Sequence, residues 1–414
     1  MRIAVTGIGV ESCIGRDTAG FWDAVRHGRS GLRALPPDLA ENALCQVGGT
    51  VDFPGTDLLD ATERRRTPRF QQMHLSAAAQ ALDDAGLGAK CADHALVTGT
   101  SLGGLTEAAS LFGQTHNGWA STDRLAPLKI LSHTPATVAA QVLGISGPSL
   151  TIGTACAAST DAVQTACRLI EQGQTDHAVA AGVECWIAPS TLRAFARMGA
   201  LTRRTAAEAS TASRPFDIAR DGLVPAEGAG AVHLEPLQAA IDRGARIYGI
   251  VVGAFSTCDA YHPTRPAPDG VRAAAAIRGA LREAGLEPRD IDQVNLHGTG
   301  TRDNDPVEAA TVRLALGAHA DDVAYSATKS VLGHTLGAGG VLETIATLLS
   351  LRAGYAPPIA NLTTVDPACG LDPQACRGAP RRMRYALKLS FGFGGHNTVL
   401  ALESGPDAGR AGDR

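Results

Sequence analysis

The chain has 414 residues, 44 % of them apolar and 19 % charged, with a formal net charge of −4. That length suits two domains or one body of two α/β halves, and the apolar content excludes a disordered chain. The charge gives no whole-molecule reason to expect nucleic acid or an anionic membrane as partner.

In chain order, Met1–Gly7 shows neither the apolar core nor the cleavage site of a secretory leader. Ile3–Thr6 predicts a short strand running into a glycine turn. Phe21, Trp22 and Val25 share one helical face, which Gly28 ends. Gln71–Ala85 predicts an amphipathic helix closed by Gly86, and Ala95–Thr98 the strand after it. Leu150–Ile152 predicts another strand, and Ala162, Val163, Ala166, Leu169 and Ile170 the apolar face of a helix stopped by Gly173. Pro266–Gly270 reads as a loop, and the Gly-, Asp- and Arg-rich tail over 405–414 as frayed. Nowhere do 18 apolar residues follow one another, so no spanning helix is expected. The nine cysteines form no CxxC pair, which gives zinc or iron–sulfur ligation no support. These features predict a cytoplasmic protein with reduced thiols.

One internal repeat stands out. Ala81-Leu82-Asp83-Asp84-Ala85-Gly86-Leu87 is echoed by Ala280-Leu281-Arg282-Glu283-Ala284-Gly285-Leu286. Beyond each copy a short apolar strand leads to a Gly-Thr pair, Gly99-Thr100 and Gly298-Thr299, at the same distance. The repeat predicts two related α/β halves, 1–245 and 246–404, joined near Pro236–Tyr248. Active sites in such pairs tend to lie between the halves, at strand ends.

Three segments could carry chemistry. Thr154-Ala155-Cys156-Ala157-Ala158-Ser159 sits between strand and helix, where backbone N–H groups at a helix N-terminus can stabilise a thiolate. A structural core cysteine is the alternative. His297 in His297-Gly298-Thr299-Gly300-Thr301, and His334 after Lys329-Ser330-Val331-Leu332-Gly333, stand in glycine turns suited to proton handling or carbonyl polarisation. Leu389-Ser390-Phe391-Gly392-Phe393-Gly394-Gly395-His396-Asn397 could aim a backbone N–H at a reacting oxygen or be a plain hairpin. Thr6-Gly7-Ile8-Gly9 is no dinucleotide fingerprint, because Ser12 replaces its third glycine, and no GxxxxGK[ST] loop occurs.

Over roughly Arg2 to Leu402 these segments, together with Arg214-Pro215-Phe216-Asp217 and Arg220-Asp221-Gly222, resemble the elongating β-ketoacyl-acyl carrier protein synthases. The resemblance implies a thiolase fold, two related α/β halves stacked as a five-layer αβαβα body. It implies decarboxylative condensation of a malonyl group, on its carrier protein, with an acyl group held on Cys156. His297 and His334 would stabilise the enolate, with Lys329 tuning them and Glu343 supporting Lys329. The N–H groups of Cys156 and Phe393 would form the oxyanion hole. Thr299 and Thr301 would bind the pantetheine arm, and Phe391, Phe393 and Leu102 would border the acyl site. No metal, nucleotide or organic cofactor enters that chemistry. Arg64, Arg65, Arg66, Arg69, Arg203 and Arg204 would meet the acidic acyl carrier protein, or else form solvated surface. A homodimer, or a heterodimer with a second synthase-like subunit, would form through Ser149–Thr154.

Arg302 and Asp303 after the second threonine, and Pro225-Ala226 before Glu227-Gly228, depart from the family's usual pattern. They point from a housekeeping fatty-acid role toward a specialised polyketide or polyene pathway. A non-catalytic partner subunit and a CoA-dependent thiolase-type enzyme are the competing readings. The first should lack Cys156, and the second should carry another cysteine where Gly392–His396 stands.

Overall fold

Short runs of Val, Ile, Leu and Ala bounded by glycine form strands here, and stretches with apolar residues three and four apart form helices against them. The computed structural model describes residues 2–40, 45–88, 91–114 and 125–406. The elements that build the site are, in order, β1 (Ile3–Ser12), α1 (Thr18–His27), α2 (Arg69–Asp84), β2 (Ala95–Gly99), β3 (Ser149–Ile152), α3 (Ala158–Glu171), β4 (Ala178–Glu184), β5 (Gly228–Pro236), β6 (Gly249–Cys258), α4 (Val271–Ala284), β7 (Gln293–Asn295), α5 (Asn304–Leu316), β8 (Ala324–Ser326), α6 (Gly339–Ala353), β9 (Tyr385–Gly392) and β10 (His396–Ser404).

The first five strands lie in the order β3-β2-β4-β5-β1 and the last five in the order β8-β7-β9-β10-β6. In each half three neighbouring strands pair in parallel, the fourth runs opposite to them and the fifth pairs antiparallel with the fourth, so the two topologies are the same. The halves also join edge to edge, Ile3–Val5 pairing with Val251–Gly249. Helices α3 and α6 pack on each other between the two half-sheets. Helix α2 covers the outer face of the first half, and α4 with α5 that of the second. This is the five-layer αβαβα arrangement.

The repeated AL..AGL motif has a packing reason. A Cβ on Gly7 of β1 would fall 1.9 Å from the carbonyl oxygen of Ala81 and 2.9 Å from the Ala85 Cβ. A Cβ on Gly253 of β6 would fall 2.3 Å from the carbonyl of Ala280 and 3.1 Å from the Ala284 Cβ. In both halves a helix presses alanines onto a strand glycine, and any side chain there would push helix and sheet apart. The predicted turn after Thr6 is therefore not a turn. Gly7 and Gly9 lie inside the ten-residue strand β1 and make room for α2.

Leu336–Ala353 is apolar enough on average to match a bilayer, yet 89 % of it is buried inside the protein. It contains the central helix α6. Strand β3 is the outer edge of the first half, and Leu150 on it is 42 % exposed. The frayed tail expected from 405 lies, after Pro406, outside the described residues.

Candidate active site

The chain leaves β3 at Ile152, makes one 3₁₀ turn over Ala155–Ala157 and enters α3 at Ala158. Ala155 has φ +49°, a left-handed conformation that costs an L-residue roughly 1–2 kcal/mol. Cys156 follows at the tip of this elbow and is 6 % exposed. The second half repeats the device. After β8 the chain passes His334, reaches Leu336 at φ +41°, makes a 3₁₀ turn over Leu336–Ala338 and enters α6. Gly337 stands there where the first half has Cys156.

Between the two elbows the reactive side chains meet. His334 Nε2 lies 3.2 Å from Cys156 Sγ, and the His334 and His297 ring centroids are 5.5 Å apart at 84°. The Leu336 N–H donates to His334 Nδ1 at 3.2 Å. Lys329 Nζ lies 3.1 Å from His297 Nδ1, and an ammonium can only donate. Both Nδ1 atoms are acceptors, so each neutral ring carries its proton on Nε2. Burial pushes both imidazoles well below the usual histidine range, and the charge of Lys329 pushes them further. The pair is thus two neutral N–H donors at pH 7.

Burial also raises the Cys156 thiol to about 11, against the opposing pull of Lys329 and of the Phe393 N–H. The elbow position alone favours a thiolate stabilised at a helix N-terminus. The structure gives a neutral thiol at rest instead, because taking the charge out of water outweighs the nearby dipoles and cation. The Phe393 N–H directed at the cysteine belongs to the hairpin between β9 and β10. That hairpin can approach because a Cβ on Gly392 would lie 2.9 Å from the Thr154 carbonyl and 3.3 Å from the Cys156 nitrogen.

Beneath the histidines lies a buried charge network. Lys329 Nζ donates to the His297 carbonyl at 2.7 Å and pairs with Glu343 of α6. Glu343 Oε2 lies 3.1 Å from Lys388 Nζ of β9, which also donates to Thr160 Oγ1 at 2.9 Å. Burial lowers Lys388 to about 8.

Sequence reasoning missed Lys388, although a lone lysine in the apolar run Ala386–Leu389 was a usable signal. It also missed two carboxylates. Glu184 accepts from the N–H groups of Ser101, Leu102 and Gly337 and ties the loop after β2 to the second elbow. Glu308 accepts from the N–H groups of His297 and Gly298. Burial raises each to about 7. Nothing local in the sequence marks either one.

A cavity of about 620 Å³ opens onto this cluster, lined by Cys156, His297, His334, Thr299, Thr301 and Phe393. Phe391 also lines it, 6.1 Å from His297 between ring centroids. Thr299 and Thr301 share a 2.9 Å hydroxyl contact, and Arg220 Nε donates to the Thr301 carbonyl at 3.1 Å. Leu102 does not line the cavity. It packs in the apolar cluster with Cys156 and Leu336. Of the six arginines, Arg65, Arg66 and Arg203 are exposed. Arg64 lies 3.5 Å from Asp57. Arg69 is held by Glu227 at 3.1 Å and by the carbonyls of Phe53 and Val51, and Arg204 by Glu208 at 2.7 Å. Those last two are engaged within the fold. The cavity mouth carries instead the exposed Arg265 and Arg302.

A cysteine–histidine–histidine cluster over a buried lysine, between two copies of one α/β half, defines a thiolase-fold condensing enzyme. The chain belongs to the β-ketoacyl synthase family. Residues 1–240 match the model of the Beta-ketoacyl synthase N-terminal domain and residues 248–363 that of its C-terminal domain.

Among curated proteins it is similar to 3-oxoacyl-[acyl-carrier-protein] synthase 2 of Synechocystis sp., 38 % identical over 97 % of this chain and 98 % of that one. It is also similar to a putative polyketide beta-ketoacyl synthase 1 of Streptomyces cyaneus, 37 % identical over 99 % of each. Among solved structures it resembles the ishigamide ketosynthase/chain length factor, with TM-score 0.90 and 34 % identity over 98 % of this chain and 99 % of that one. A type II polyketide synthase acyl-carrier protein in complex with its ketosynthase superposes with TM-score 0.89 and 29 % identity over 98 % of this chain and 99 % of that one.

Proposed function

We propose that the protein is an elongating β-ketoacyl-acyl carrier protein synthase, with Cys156 as nucleophile and His297 and His334 as the decarboxylation site. The observation that carries this reading is the pair of buried imidazoles, each accepting at Nδ1 and so carrying its proton on Nε2, with His334 Nε2 3.2 Å from the Cys156 sulfur.

In the first half-reaction the Cys156 sulfur attacks the acyl thioester, the pantetheine sulfur leaves, and the thiol proton ends on that leaving sulfur. The oxyanion formed on the way is held by the N–H groups of Cys156 and Phe393. In the second, the malonyl thioester carbonyl accepts from both Nε2–H groups. The bond to the carboxyl carbon breaks, its electron pair moves into the enolate, and carbon dioxide leaves. The enolate carbon then attacks the acyl-Cys156 carbonyl, expelling the Cys156 thiolate, which regains a proton from solvent. Lys329 acts through the histidines, holding them neutral and fixing the His297 tautomer. Thr299 and Thr301, at the cavity, would hydrogen-bond the pantetheine arm.

The pathway we favour is a specialised polyketide or polyene one, supported by the departures at Arg302, Asp303 and Pro225-Ala226 and by the 37 % identity to the Streptomyces cyaneus polyketide relative. The reading includes acyl carrier protein as partner, a cytoplasmic location, and a dimer formed through the exposed edge of β3. Incubation with acyl-loaded carrier protein should add one acyl mass to the enzyme, mapping to the Cys156 peptide. A label on Cys167 or Cys185 would overturn the assignment.

A further inference from the structure

Three histidines meet at the far end of the first half's sheet from Cys156. His94 immediately precedes β2, His177 immediately precedes β4, and His233 lies within β5. Ala95 and Ala178 are partners in the parallel β2–β4 pair, so the residues before them stand side by side. His233 is the partner of Val179 in the antiparallel β4–β5 pair, which brings in the third ring. One ring nitrogen of each lies within 4.8 Å of the other two.

We propose that His94, His177 and His233 form a binding site for a divalent transition metal ion of the zinc type, separate from the active site. Zinc bound by histidine nitrogens at about 2.0–2.1 Å in a tetrahedron sets those nitrogens about 3.3–3.4 Å apart. His94 Nε2 and His233 Nε2 are already 3.3 Å apart. The widest spacing must close by about 1.4 Å to reach that value. His177 is half-buried and its ring stacks on His94 with centroids 4.8 Å apart at 12°, so ion binding would require that ring to turn.

The outer contacts suit a metal ligand. Thr6 Oγ1 donates its one proton to Glu235 Oε1 at 2.6 Å, so it must accept from His233 Nδ1 at 2.8 Å. That leaves the lone pair of His233 on Nε2, facing His94. A carboxylate acting through a hydrogen bond on the distal nitrogen is the usual second support of a ligating histidine. Glu235 is itself clamped by Arg243 at 2.5 Å. His177 Nδ1 is buried and has no hydrogen-bond partner among the described residues, a vacant acceptor or donor that a ligand would satisfy. The ion would tie the starts of β2 and β4 to the middle of β5, with its fourth position left to water.

Cys156, His297 and His334 also bring ligand atoms within 4.8 Å of one another, so the test must silence that cluster. Chelator-treated Cys156→Ala protein is titrated with Co²⁺ and Zn²⁺, reading visible absorption and metal per chain. We expect one equivalent bound, with the intense absorption of tetrahedral cobalt. His177→Ala, at a half-exposed position, should weaken binding by about 100-fold or more. His94→Gln should do the same. No binding by the Cys156→Ala protein would overturn the site, and so would binding that His177→Ala leaves unchanged. Condensation activity reports separately on Cys156 and its histidines, so failure of one proposal is distinguishable from failure of the other.

Discussion

Cys156→Gln removes the nucleophile but puts a neutral amide near the place of the acylated thiol, leaving His297, His334 and Lys329 in position. On the proposed mechanism decarboxylation needs the two Nε2–H donors and not the sulfur, so this variant should lose condensation and still release carbon dioxide from malonyl carrier protein. Replacing a histidine acts on the other half. Loss of one preorganised donor to a developing oxyanion costs about 10²–10³ in rate, or roughly 2.7–4 kcal/mol. His297→Ala should therefore cut decarboxylation by about that factor.

The structure further separates the two histidines. His334 Nε2 touches Cys156 Sγ at 3.2 Å, whereas His297 is tied to Lys329. His297→Ala should leave acylation of Cys156 largely intact, and His334→Ala should slow both acylation and decarboxylation. Labelled carbon dioxide release and intact mass of the acyl-enzyme, measured for each variant, give the two rates. A folded Cys156→Gln protein that cannot decarboxylate would refute this division of labour. So would a His297→Ala protein that loses acylation as fully as decarboxylation.

Three other outcomes follow from the electrostatics. With the Cys156 thiol near 11, its alkylation by iodoacetamide should rise about tenfold per pH unit from 7 to 10, and a plateau above pH 8 would show a preformed thiolate. Lys388→Met removes one of the cations that hold the imidazoles neutral; both histidine pKa values should rise, moving the acid limb of the decarboxylation pH profile upward, and an unmoved limb would show that Lys388 serves packing alone. Reversing the exposed Arg65 and Arg66 to Glu should raise KM for carrier-bound substrate and reduce its salt dependence while a small thioester mimic reacts as before; equal loss with both substrates would make these arginines structural.

The parts of the site that were legible in the sequence are those whose signal is local. A strand, a run of small residues and an amphipathic helix mark the Cys156 elbow, and glycine turns mark His297 and His334. What could not be read is set by burial and by distant partners. The sign of the Cys156 shift depends on how completely the elbow is covered, which no window of sequence reports. Glu184 gains its role by reaching the N–H groups of Ser101 and Gly337, two loops far apart in the chain. Arg69 reads as surface charge in the run after Arg64, yet folds onto Glu227. Gly7 and Gly9 look like a turn because a turn and a helix-packed strand can call for the same residue. His94, His177 and His233 share no motif at all, and only the pairing of β2, β4 and β5 gathers them.

The repeat carries a further consequence for the chemistry. Both halves build the same strained elbow, with Ala155 and Leu336 in the left-handed region just before their helices α3 and α6. One elbow presents Cys156, and the other presents Gly337, where a Cβ would fall 2.4 Å from the Ser101 nitrogen. A second nucleophile therefore has no room in the second half. Its elbow instead fixes His334 through the Leu336 N–H and gives its own Gly337 N–H to Glu184, the carboxylate that also holds the loop at Ser101 and Leu102. Duplication thus supplied two equivalent frames facing each other, and occupying only one with sulfur left the other free to hold hydrogen-bond donors. On the proposed mechanism acyl transfer uses the sulfur and decarboxylation the donors, so a single cavity can run both steps without the groups competing for one position.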